Sequence, residues 1–235
     1  MLRTVLIYVV IIALAMIFIP IARENMEKQD LSDLSKEYVK NSIDKLETQN
    51  VVTSVVVTYR GLDTLGEVTV LFLATSGVGF LINRRKKRKS KIRQASEILN
   101  TGSFFIFPII VLFGVYVFVH GHLTPGGGFQ GGVLIASAFV LMMLVNNNSD
   151  LNHLVLESIE AISGFSYVII AALGLILLGS FLDPTFLPMG KLGMLFSAGA
   201  IPLIYSFVGL KVGAELTNII DSLRNESTES EEVTK

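Results

Sequence analysis

Several ionisable residues stand at spacings that could support proton or cation chemistry. Asp63 and Glu67, in "RGLDTLGE", are four residues apart and share one face if the segment is helical. A carboxylate well inside a membrane span costs about 2.5–3.5 kcal/mol on insertion scales. Asp63 falls where a span would meet the interface, and helix-dipole capping accounts for it there. Glu67 lies one turn deeper, roughly 6 Å at a rise of 1.5 Å per residue, and is the better candidate for a proton or cation relay. His120 and His122 flank Gly121; imidazole titrates near neutrality and can shuttle protons, although a histidine at an interface also serves as a polar anchor. Two histidines with no third ligand nearby do not make a metal site, and no cofactor is expected. Lys211 and Glu215, again four apart, read as an i,i+4 pair with Lys211 snorkelling toward water, and Lys211 could also set the field along an ion path. Glu157 and Glu160 read as a solvated helix entry.

Composition narrows the setting. Of 235 residues 51% are hydrophobic and only 17% charged, and mean hydropathy is +0.61, which points to a multi-pass membrane protein. The sequence contains 0 cysteines, which excludes thiolate-held iron–sulfur clusters, sulfur-held zinc and thiol catalysis in this chain. Any redox chemistry must then sit on a partner. The net charge of −1 conceals 8 basic residues between Arg84 and Arg93 and 4 glutamates in the last 10 positions.

A bilayer core about 30 Å thick needs about 20 apolar helical residues. Runs of that order predict an all-α polytopic protein with about six transmembrane helices, near Leu2–Ala22, Leu62–Ile82, Ser103–His120, Gly128–Val145, Ala161–Leu182 and Leu192–Gly213. The first run continues past the "ALA" at 13 to 15, so it reads as an uncleaved anchor. The basic run abuts the second span and acts as a cytoplasmic topology anchor, not a nucleic-acid site. Counting spans from it places residues 23–60 outside and both termini in the cytoplasm. Residues 23–50 carry a weak amphipathic stripe, and "VVTSVVVTYR" at 51 to 60 fits a strand or an interfacial helix equally well. A composition break at 83–102 divides a two-span module, 1–92, from a four-span module, 93–218, followed by an acidic tail, 219–235.

The stretch "GHLTPGGGFQGGVLIASAFVLMML" begins at Gly121 and includes Pro125, Gly126, Gly127, Gly128, Phe129, Gly131 and Gly132. "GGGFQG" formally matches a dinucleotide fingerprint with Asp150 beyond it, but that fingerprint requires a parallel strand before it and a soluble helix after it. Pro125 suits the first turn of a helix, and the glycines let backbones approach closely. Irregular backbone at membrane depth is tolerated where it is buried in protein or lines a water-filled cavity. Both tight packing and the mouth of an ion path remain open on the residues alone.

Two stretches then resemble a known family. "GHLTPGGGFQGGVLIASAFVLMML" and "FLPMGKLGMLFSAGAIPLIYSFVGLKVGAEL" resemble the MnhB/MrpB subunit of multisubunit Mrp-type sodium/proton antiporters. "NVVTSVVVTYRGLDTLGEVTVLFLATSGV" resembles the segment that ends the large MrpA subunit and stands alone as MbhE in membrane-bound hydrogenases. The resemblance implies a subunit of a cation (Na+)/proton exchanging module in the bilayer, hetero-oligomeric with other Mrp or membrane-bound-hydrogenase type subunits, with no catalytic site of its own. It implies a role in antiport for Glu67, and for Pro125 and Phe129 of "PGGGF"; His122 takes the histidine position just before that motif. Joining both parts in one chain resembles respiratory complexes related to membrane-bound hydrogenase or sulfane reductase, with a free-standing antiporter as the alternative. On this reading the glycine turn starts the fourth span within the membrane and leaves His122 and Phe129 facing a hydrated route from outside.

Overall fold

The computed structural model describes residues 2–27, 31–82, 95–145 and 151–233. The basic run 84–93, Asp150 and the start of the connector after the fourth span lie outside the described residues, as do the side chains of the acidic tail beyond Arg224. Among the described residues eight α-helices follow one another: α1 (Leu2–Glu27), α2 (Asp33–Asp44), α3 (Val51–Ser54), α4 (Gly61–Ile82), α5 (Glu97–Val119), α6 (Gly128–Val145), α7 (His153–Leu178) and α8 (Ile201–Val233). Among the described residues 6 of these helices are long and apolar enough to cross a membrane, namely α1 and α4 to α8. No strand occurs among the described residues. The chain divides into two compact units, 1–40 and 41–235. The first holds α1, a continuous helix with Pro20 inside it, and the start of α2.

The β-branched stretch after Asn50 is helical. Asn50 caps α3 by accepting from the Thr53 amide at 3.4 Å, and Val55–Tyr59 continues as a single π turn. Among the described residues no neighbouring strand is present to pair with this segment, and a helix satisfies its amides within the segment itself. Arg60 breaks the π turn and α4 begins at Gly61. Thr64 donates its hydroxyl back to the Val56 carbonyl at 2.8 Å, tying α4 to the turn that precedes it.

α8 is the central helix of the second unit. It packs against α4, α5, α6 and α7, and 56% of its crossing window is buried, against 11% for α4 and for α5. Its core face carries Ile201, Ile204, Val208 and Val212, which meet Val57, Val68, Tyr167 and Leu182. With lipid tails as apolar as the side chains themselves, this contact rests on close packing more than on exclusion of water.

The last span differs from its expected limits. Leu192–Ala200 is irregular, and α8 starts only at Ile201. Gly190, Gly193 and Gly199 have φ of 69°, 86° and 57°, and Ala198 has φ of 64°, values a right-handed helix cannot contain. Hydropathy alone cannot detect this. The segment folds back on itself instead, with the Ala198 amide donating to Met189 O at 2.9 Å and the Ala200 amide to Pro184 O at 3.1 Å. The fifth span likewise ends early, at Leu178, because Gly179 adopts a left-handed cap.

Candidate ion-handling site

α4 presents its two carboxylates differently. Asp63, in the first turn, forms an ion pair with Arg60 and is half exposed, as a capping residue at a helix start would be. Glu67, one turn on, is exposed on the surface of this chain yet lies within electrostatic range of the Tyr167 hydroxyl of α7. Tyr167 is 1% exposed and its hydroxyl has no hydrogen-bond partner. A buried, unsatisfied phenol is costly, and it marks the seam between α4, α7 and α8 as a polar place in an apolar bundle.

Lys211 occupies the middle of that seam. Its Nζ donates to Glu215 Oε1 at 2.5 Å, stands 3.9 Å from Glu160 Oε1 of α7, and lies 5.0 Å above the Phe72 ring of α4. Gly164 lies alongside the lysine stem, where a Cβ would sit 3.4 Å from Lys211 Cδ, in ordinary van der Waals contact. Two sequence expectations are corrected by this geometry. Lys211 does not snorkel toward water: it is 7% exposed, because a carboxylate four residues on and an aromatic face hold its ammonium inside. Nor is Glu160 a solvated helix entry, with its side chain 15% exposed and turned toward Lys211. At the end of the seam where α7 begins, His153 Nε2 lies 3.2 Å from Asp221 Oδ2 and its Nδ1 lies 3.1 Å from Asn218 Oδ1.

The glycine turn is built for contact. A Cβ on Gly131 would lie 2.6 Å from the Gly114 carbonyl of α5, one on Gly132 2.8 Å from the Gly209 carbonyl of α8, and one on Gly128 2.7 Å from Val208 Cβ. Backbone meets backbone on both faces of α6, so of the two open readings, packing is the one these glycines serve. Gly126 and Gly127 face Val117 and Tyr205 in the same manner. Pro125 is not in the first turn of α6; it lies three residues ahead of it, exposed, because the chain first makes a hydrogen-bonded turn in which the Leu123 and Thr124 amides donate to His120 O. Phe129 is half-buried against the core.

His122 does not face a hydrated route in this chain. It is 0% exposed, covered by the irregular 187–200 segment, with Nε2 3.4 Å from Met194 O and Nδ1 without a partner. Burial, aided by the nearby His120, lowers its pKa below the ordinary value of 6.5, against the opposing pull of the Met194, Val119 and Leu195 backbone. The neutral imidazole is therefore the buried form. The turn carrying His122 is anchored from an unforeseen direction: Asn50 Nδ2 donates to Gly121 O at 2.8 Å and to Thr124 O at 3.0 Å, and Thr53 Oγ1 donates to Gly121 O at 2.6 Å.

Glu67, Tyr167, Lys211, Glu215 and Glu160 thus gather at one seam, while Asp63, His122 and the glycine turn lie elsewhere. Sequence reasoning missed Tyr167 and misread Glu160 as solvated, and it missed Asn50 and Thr53. The i,i+3 and i,i+4 ladder His153, Glu157, Glu160, Gly164, Tyr167 along α7 was the available signal for the first two. Among the described residues no three acidic or histidine side chains gather as metal ligands.

Among the described residues, six helices apolar and long enough to cross a membrane, with a buried ion pair in the second unit, define a multi-pass membrane protein. The sequence matches the family described as "Domain related to MnhB subunit of Na+/H+ antiporter" over residues 98–218, and the MbhE family of MBH subunits over residues 2–97. The chain belongs to the MnhB family, with an MbhE segment ahead of it. It is 32% identical over 214 residues to uncharacterized protein MJ1307 of Methanocaldococcus jannaschii, covering 79% of this chain and 81% of that one. It is similar to a chain in the structure of the membrane-bound sulfane sulfur reductase, an archaeal respiratory membrane complex, at 40% identity and a TM-score of 0.81, covering 95% of this chain and 98% of that one. A chain of the Mrp complex from Dietzia sp. DQ12-45-1b is similar at 25% identity and a TM-score of 0.72 over 94% of this chain, which corresponds to only 26% of that longer chain.

Proposed function

We propose that this chain is a subunit of a cation (Na+)/proton antiporter module within a respiratory complex of the hydrogenase or sulfane-reductase type, and that it contributes to ion translocation along the α4, α7 and α8 seam. The observation that carries the reading is the buried Lys211–Glu215 pair on the same α4, α7 and α8 seam as Tyr167, which Glu67 approaches from α4. Charged groups at membrane depth are costly, and those that persist there mark ion or proton paths. Glu67 turns to the surface of this chain, so a neighbouring subunit would complete its surroundings in the assembled complex. In this reading Glu67 relays the ion and Lys211 sets the field beside it, while Asp63 caps α4. Pro125, Phe129 and His122 hold the turn that locks α6 against α5 and α8. The division into modules 1–92 and 93–218, and the placing of both termini in the cytoplasm, belong to the same proposal. A single cysteine placed near Asp33 should react with impermeant thiol reagents from outside; labelling only from inside would reverse the topology.

The deciding measurement is sodium-dependent proton movement in inverted vesicles carrying the whole complex with Glu67→Gln, beside a native-gel check of assembly. Loss of transport in an intact complex is expected. Normal transport would make the subunit a scaffold, the reading favoured by the backbone contacts of Gly128, Gly131 and Gly132.

A further inference from the structure

The seam between α7 and α8 brings two carboxyl groups to one ammonium. Lys211 Nζ stands 2.5 Å from Glu215 Oε1 and 3.9 Å from Glu160 Oε1, so both carboxyls face one buried ammonium. Ionised carboxylates only accept, so a hydrogen bond between two carboxyls requires a proton on one of them. Glu215 is 0% exposed, and its second oxygen, Oε2, is buried with no donor from Lys211 or any backbone amide. A hydroxyl on Glu160 would supply that donor. Charge leads to the same place: three ionised groups would enclose a net negative charge at membrane depth, whereas one added proton makes the cluster neutral.

We propose that Glu160, Glu215 and Lys211 form a proton-binding site that holds one exchangeable proton between the two carboxyls. The proton binds a carboxylate oxygen and leaves from it, with no other bond changed and the ammonium kept on Lys211. Of the groups on the packed elements, Glu157 on α7 and Phe72 on α4 face the cluster, Tyr167 on α7 and Glu67 on α4 lie near each other along the same seam, and Asn218, Asp221 and Arg224 follow further along α8. His153, with 42% of its side chain exposed, contacts Asp221, whose side chain is 3% exposed, and so joins solvent to the buried row. Residues 215, 218 and 221 on α8 and 153, 157 and 160 on α7 recur about once per turn, giving the proton a stepwise approach from the end where α7 begins. The two carboxyls titrate as a pair, so the proton belongs to the site and not to either residue.

The site stands whether or not Glu67 carries ions, and its test reads protonation directly. Infrared difference spectra of the assembled complex in lipid vesicles, taken across a pH step in H2O and in D2O, should show one carboxylic-acid carbonyl band per chain that shifts in D2O. Glu160→Gln and Glu215→Gln should each abolish it, because either leaves a neutral lysine–carboxylate pair. Lys211→Met should double it, because neutrality then needs two protons. Glu67→Gln should leave it in place even where transport is lost. A wild-type spectrum without the band, a band that survives both glutamine changes, or no gain in Lys211→Met would overturn the proposal. Should one glutamine variant fail to assemble, the wild-type spectrum and the other variant decide.

Discussion

The Tyr205 hydroxyl of α8 donates to Thr53 Oγ1 at 3.1 Å, and Thr53 passes its own hydrogen to the Gly121 carbonyl at 2.6 Å. This relay crosses the boundary between the two family segments, which falls at residues 97 and 98. The short α3 thus belongs structurally with the turn between α5 and α6 and with α8, and all three residues are buried where water could not replace a lost partner. The two families meet in this chain through a built hydrogen-bonded joint.

Gly131→Ala should weaken the α5–α6 contact by about 1–3 kcal/mol, because the added methyl meets a backbone carbonyl and has no flexible side chain to displace. Gly102→Ala in α5, where a Cβ meets nothing within 4 Å, should be neutral or slightly stabilising. Thermal unfolding of the assembled complex, followed by native gel, separates the two. Equal behaviour would remove the packing role assigned to the glycine stretch.

Lys211→Met alone should cost about 1–3 kcal/mol, since it removes the ammonium donor from Glu215 and leaves that buried carboxyl to be neutralised by a proton. Adding Glu215→Gln should recover most of that loss. The double-mutant cycle is read from the yield and melting temperature of the complex, and losses that simply add would mean that the two groups do not act as a pair.

His122 carries a pH signature of definite sign. Burial lowers its folded pKa below 6.5, so the folded state prefers the neutral ring. Its contribution to stability is complete above that ordinary value and is lost as pH falls through it toward the depressed folded value. Melting temperatures measured between about pH 8 and pH 5 should fall more steeply at the acid end in the natural chain than in His122→Phe. Parallel curves would show that the ring does not gain a proton on unfolding.

Element type and number were legible because hydropathy is a property of composition. α4 and α6 begin and end within a residue of the runs read from the sequence, as their flanks change abruptly from apolar to glycine or charge. The 187–200 segment was not legible, since its apolar residues satisfy the same window while Gly190, Gly193 and Gly199 turn the backbone left-handed. The pairing of Lys211 with Glu215 follows from helical spacing, but the approach of Glu160 depends on how α7 lies against α8, a relation between residues 51 positions apart in the chain (160 and 211). Asn50 and Thr53 carry no motif, and only the fold brings them to the turn around Gly121.

The π turn at Val55–Tyr59 sets a compass bearing for the helix after it. Each helical residue advances the chain by about 100°, so the extra residue held in this turn fixes the azimuth at which α4 departs. Removing one residue from it would swing Thr64, Glu67 and Val68 by roughly a quarter turn, taking Val68 off the core and Glu67 away from Tyr167. The number of residues in this stretch, more than the identity of any of them, determines what α4 shows to its neighbours.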